Sequence, residues 1–123
     1  MRVIPITLLA LVLNGCGQSG PTLAGGRPVS HWLEALKHNS AEVRCKAVRK
    51  LSNVGPADES VLAALLGALN DRDARVRAEA VLGLCKFGPD AAEAVPALKR
   101  MQHHDPSPRV RSYAARASKR IQP

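Results

Sequence analysis

Aromatic residues are nearly missing: Trp32, Phe87 and Tyr113 are the only ones among 123 residues. The core must therefore come from Leu, Val and Ala, which suits close helix-on-helix packing, and large aromatic-walled pockets are not expected. Acidic residues are also scarce, with 10 Asp and Glu against 18 Lys and Arg, for a net charge of +8. That balance favours anionic partners, although charges on exposed helix faces are ordinary. No phosphate loop, nucleophile elbow or zinc-ligand spacing is present. His103-His104-Asp105 reads as a polar turn, because adjacent histidines cannot share a helix face and no further ligand stands nearby. The Glu34/Glu42 and Asp58/Glu59 pairs lack a catalytic partner. The expectation is a non-enzyme with no cofactor and no metal.

Long apolar runs are limited to one, Val3 to Leu13. Its eleven residues would span about half a bilayer as a helix, and Pro5 interrupts it. With Arg2 before it and Leu13-Asn14-Gly15-Cys16 after it, the run reads as a signal peptide over residues 1–15. The end of this run resembles a bacterial lipoprotein signal, with Leu13, Gly15 and Cys16 matching and Asn14 departing from the usual small residue. The resemblance implies a diacylglycerol on Cys16, cleavage that leaves Cys16 as the new N-terminus, and an exported protein held in the cell envelope. The alternative, an ordinary cleaved signal, would yield a secreted soluble protein. Residues 16–28 are Gly-rich and aperiodic and read as a flexible tether.

What remains is repetitive. Val43-Arg44, Val76-Arg77 and Val110-Arg111 recur at spacings of 33 and then 34 residues, with Ala47, Ala80 and Ala114 in step. Self-similarity at this period indicates stacked helical hairpins. The domain is expected over 29–122, in units of about 29–56, 57–89 and 90–122. In the first helix of each unit, helix A, corresponding apolar triplets are Val29/Leu62/Val95, Trp32/Leu65/Leu98 and Ala35/Ala68/Met101. In the second, helix B, the stripes are Val43-Ala47-Leu51-Val54, Val76-Ala80-Leu84-Phe87 and Val110-Ala114-Ser118-Ile121. Ser40, Asp73 and Ser107 are placed to cap helix B. Gly55-Pro56 and Gly88-Pro89 are placed to stop it. The third copy is degraded at Ala115 and Ser118 and reads as a polar terminal cap. Cys45 and Cys85 occupy repeat positions seven residues apart, or about 10 Å along a helix. A disulfide needs Cα atoms within about 7 Å, so both thiols are expected free and mostly buried.

The stretches LNDRDARVRAEAVLGLCKFGPDAAEAVPAL and HDPSPRVRSYAARASKRI resemble the HEAT repeat, especially its short bacterial form found also in phycobilin lyase-like proteins. The resemblance implies an all-α superhelix (α-α solenoid) with B helices lining one face. It also implies a binding or scaffolding role, and a ladder of polar groups between units. Arg44, Arg77, Arg111, Asp71 and Asp105 fall on that ladder, with His38 in place of the aspartate in unit one. The functional residues are then expected where the copies differ: Trp32, Lys46, Arg49, Lys50, Lys86, Tyr113 and Arg116. Trp32 alternatively covers the end of the stack. The expected partner is an unknown protein of the cell envelope, with the membrane engaged through the lipid on Cys16. Nucleic acid is a poor candidate for an exported protein. The alternative is a polyanion held by the basic B-helix residues, a surplus that also includes Arg75, Arg109, Lys119 and Arg120.

Overall fold

The computed structural model describes residues 23–122. The signal segment, Cys16 and the first part of the expected tether lie outside the described residues. Six α-helices and one 3₁₀ segment make up about three-quarters of the described chain. Unit one holds α1 (Val29–Ala35) and α2 (Ala41–Ser52), and unit two holds α3 (Glu59–Ala68) and α4 (Ala74–Phe87). Unit three begins with the 3₁₀ segment Gly88–Ala94 and continues through α5 (Val95–His104) and α6 (Pro108–Ile121). Helices α2, α4 and α6 pack on one another in sequence as a continuous spine, whereas the A helices α1 and α3 barely meet. No helix among the described residues is long and apolar enough to cross a membrane.

The B helices begin where the capping residues stand. Ser40 Oγ accepts from the Val43 N–H at 3.4 Å, Asp73 from Arg75 at 2.8 Å, and Ser107 Oγ from Val110 at 3.4 Å. Gly88 takes a φ of 56° and ends α4 directly. Gly55 also has positive φ, 91°, but α2 has already ended at Ser52 with Asn53 as its cap, so this glycine turns the following loop.

The spine is small and aliphatic. Ala47, Leu51, Val76, Ala80, Leu84, Val110, Ala114 and Ile121 are fully buried, joined by Val48 and Val81 from an adjacent row. Ser118 is also buried, and its hydroxyl donates to the Ala115 carbonyl at 3.0 Å. Gly83 lets α4 approach α2, since a Cβ there would collide with the Ser52 hydroxyl. The A-helix stripe departs from the sequence expectation. Val61 and Ala94 are fully buried while Leu62 and Val95 are half-buried, so the inward face begins one residue earlier. The four-residue step from Val61 to Leu65 and from Ala94 to Leu98 keeps these side chains stacked on one face.

Residues 23–28, the end of the expected tether, form a hairpin rather than an aperiodic linker. Leu23–Ala24 and Arg27–Pro28 pair antiparallel, with Leu23 opposite Pro28 and Ala24 opposite Arg27. Gly25 and Gly26 make the tight turn at φ of 58° and 79°, conformations a side chain would resist. The hairpin is fastened by the Trp32 indole, whose Nε1–H donates to the Ala24 carbonyl at 2.6 Å. Ala24 and Trp32 are both buried, and together they close the open end of unit one.

Candidate binding face

The arginines that follow the conserved-period valines form one continuous edge along the A–B turns. Arg44 donates through Nε and Nη2 to both oxygens of Asp71 in the next unit, at 2.9 and 3.1 Å. Arg77 does the same to Asp105, at 2.9 and 3.0 Å. The third nitrogen ties each guanidinium to its own turn: Arg44 Nη1 to the His38 and Asn39 carbonyls, Arg77 Nη1 to Asp71 O, and Arg111 Nη1 to Asp105 O. Each aspartate also shapes its turn, Asp71 accepting from the Asp73 N–H at 2.8 Å and Asp105 from the Ser107 N–H at 2.9 Å. Bidentate, nearly dry contacts of this kind fix how one unit sits on the next.

His38 occupies the aspartate position of unit one. Its Nδ1 accepts the Ser40 N–H at 3.0 Å, so it makes the same turn bond. No preceding unit offers it an arginine among the described residues, and the turn needs an acceptor there rather than a charge.

The electrostatics follow the geometry. Burial would raise the Asp105 carboxyl, but the Arg77 hydrogen bonds and the Ser107 N–H more than offset it and hold it below the ordinary carboxylate range. The Asp73 carboxyl is drawn down to about 2 by the side-chain hydrogen bond from Arg75, helped by the Arg75 backbone N–H. Cys45 is buried, and burial pushes its thiol up and leaves it protonated. Cys45 and Cys85 are both free thiols, Cys85 half-buried. His103 and His104 are exposed at the end of α5 while Asp105 is committed to Arg77, and no group of His, Cys, Asp and Glu able to hold a metal ion occurs among the described residues.

The outer stripe of the B helices takes no part in this inter-unit ladder. On α2 this stripe is Glu42, Lys46, Arg49 and Asn53; on α4 it is Arg75, Glu79, Leu82 and Lys86; on α6 it is Arg109, Tyr113, Arg116 and Arg120. Each set follows i, i+4, i+7, i+11, which is one face of a helix. All are exposed except the half-buried Glu79 and Tyr113. Lys46, Arg49, Lys50 and Lys86 line one open groove between α2 and α4. Tyr113 and Arg116 line a second, together with Leu82, Cys85 and Arg120. Arg49 and Glu79 bridge α2 and α4 at 3.5 Å. Tyr113 is flanked by two guanidinium groups, Arg109 at 5.4 Å and Arg116 at 5.1 Å from the ring centre, and the Arg109 Nε–H donates to its hydroxyl at 3.2 Å.

A family model for HEAT repeats matches residues 29–119. The chain belongs to the HEAT repeat family. No curated protein matches it. HEAT repeats generally serve as protein-interaction scaffolds, and the family is typically non-enzymatic. In this HEAT solenoid six of the seven residues singled out for differing between copies lie together on or beside the B-helix stripe. Trp32 does not. It is 6% exposed, packed at the end of unit one beneath Lys46 and bonded to Ala24, so it belongs to the core rather than to a partner surface.

Leu82 lies outside the expected set, and Arg109 was expected only within the basic surplus of the polyanion alternative. Leu82 is one of two large apolar side chains left exposed among the described residues, at 40%. It stands where the other copies carry Arg49 and Arg116, and that disagreement between copies was the available signal. Arg109 gains its place only through Tyr113, one helical turn away.

Proposed function

We propose that this HEAT-repeat protein is a non-enzymatic binding module, anchored through a lipid on Cys16 in the bacterial cell envelope, that recognises a protein partner through the outer stripe of its B helices. One observation carries the reading. Positions that are the same in all three B helices, the Val-Arg pair and the following Ala, are occupied in stacking and turn formation, while no row of the exposed stripe carries the same residue in all three copies. The test is a photo-crosslinking residue placed in cells at Leu82 or, as a control, at Lys99 on the exposed side of α5. A discrete protein adduct from Leu82 alone supports the reading; equal labelling from both, or none from Leu82, contradicts it.

The anchor rests on Leu13, Gly15 and Cys16. A single acyl chain binds membranes marginally and two bind stably, so Cys16→Ser should move the protein from the membrane fraction to the soluble one. Retention of the variant in the membrane contradicts lipidation at Cys16. The cationic excess of the stripe supports a second reading, a polyanion-binding module. Its binding to heparin or to anionic vesicles would fall steeply with salt, and a salt-insensitive interaction would exclude it.

A further inference from the structure

The twelve stripe positions carry seven Lys or Arg and two Glu. Of the seven, Arg49 is engaged by Glu79 and Arg75 by Asp73. Lys46, Lys86, Arg109, Arg116 and Arg120 have no salt-bridge partner among the described residues. The charge is uneven: α6 contributes three arginines and a tyrosine to the stripe and no acid. Leu82 sits in the middle, with Arg49 in the same row on α2 and Arg116 in the same row on α6. It lines a groove shared with Cys85 and Tyr113, and its neighbours there are Arg116 and Arg120. An exposed apolar side chain between guanidinium groups matches neither a purely anionic polymer, which has nothing to place on the leucine, nor a purely apolar segment, which would desolvate the arginines without pairing them.

We infer that the stripe docks an acidic segment of a protein, one apolar side chain seated on Leu82 and carboxylates on either side reaching Arg49 and Arg116. The inference rests on the protein-binding reading above and adds the chemistry of the partner. Neighbouring helices lie about 8–10 Å apart, and a chain in the polyproline II conformation advances about 3.1 Å per residue with every third side chain on one face. A segment crossing the B helices in that conformation therefore places its carboxylates about three residues before and after the apolar side chain. Glu42 and Glu79 set a polarity along the groove, so the more acidic end of the segment lies over α6, where Arg109, Arg116 and Arg120 are unopposed. Tyr113, flanked by two guanidinium groups, lines the same groove as Leu82 and adds aromatic surface beside it.

The experiment uses the full chain and three fluorescent peptides. The first has Glu, two small spacers, Leu, two small spacers and Glu. The second replaces the Leu by Ala, and the third gathers the two Glu at one end. Phosphatidylglycerol vesicles and a single-stranded oligonucleotide serve as competitors. The Leu peptide should bind about fivefold tighter than the Ala peptide, the change expected when burial of a partly covered leucine is lost. Leu82→Ser should erase that difference, and Arg116→Glu should weaken the Leu peptide while leaving helicity and melting unchanged. Equal binding of the Leu and Ala peptides, insensitivity to Leu82→Ser, tighter binding of vesicles or oligonucleotide, or no peptide binding overturns the inference. If the peptides fail while a residue at Leu82 still crosslinks to a protein in cells, the partner chemistry is wrong and the protein-binding reading stands; if both fail, both are wrong.

Discussion

Arginine is used in two ways on this molecule. On the turn edge, the Arg44 and Arg77 side chains are 5% and 13% exposed and each grips an aspartate of the next unit with two hydrogen bonds. On the B-helix stripe, the Arg49 side chain is 61% exposed and meets its glutamate at 3.5 Å. The first kind of pair is nearly dry, so either partner left alone is a buried charge without compensation. The second is wet, screened by salt and worth little to the fold. The same side chain therefore holds the stack together on one edge and stays available on the other.

The contrast is broken most severely at Arg77. Arg77→Ala strands the Asp105 carboxylate and should cost about 3–5 kcal/mol, seen as a large drop in the melting temperature. Arg116→Ala should stay within about 0.5 kcal/mol of the parent in the same melt. An equal loss in both variants would mean that the stripe is structural too. A smaller effect is expected at Gly83, which belongs to neither arginine set but controls how closely α2 and α4 stack. Gly83→Val drives methyl groups into Ser52 and should cost about 1–3 kcal/mol; a denaturant midpoint unchanged from the parent would show that the helices slide apart freely.

Acid titration gives the smallest and most selective effect. The Asp105 carboxyl lies below its ordinary value of 3.8 in the folded chain, and Asp73 lies at about 2. A carboxyl whose folded value is depressed stabilises the fold fully above its unfolded value. That contribution is lost as pH falls through the folded value. Melting temperature should therefore hold steady down to about pH 4 and fall from there towards about pH 2. Asp105→Asn should lower the plateau and flatten the acid limb. A variant with the parent's acid slope would remove Asp105 from the account.

Much of the turn edge is legible in the sequence, because a period of 33 residues aligns Val43-Arg44 with Val76-Arg77 and fixes where each helix B begins. The caps at Ser40, Asp73 and Ser107 followed from local chemistry alone. Features that depend on distant partners were not legible. Gly25-Gly26 reads as linker by composition, and only the Trp32 bond to Ala24, eight residues away, makes it the turn of a hairpin. Gly83 shows no local sign that it faces Ser52. Val61 and Ala94 were passed over because a three-residue step and a four-residue step both fit a short apolar helix, and packing on the neighbouring unit chooses between them. Leu82 lay within an apolar run, VLGLCKF, in which the repeat stripe claims Leu84 for the core, and alignment with Arg49 and Arg116 marks Leu82 as outward.

The division between a stacking edge and a binding stripe is tested most directly by partner affinity per folded molecule in two variants. Arg77→Ala and Arg116→Glu would be compared at a temperature where both are folded by helicity, with the Glu- and Leu-bearing peptide as ligand. Arg77→Ala should bind like the parent despite its lower melting temperature, and Arg116→Glu should melt like the parent and bind about tenfold more weakly. Unchanged binding by Arg116→Glu, or a loss of affinity confined to Arg77→Ala, would contradict it.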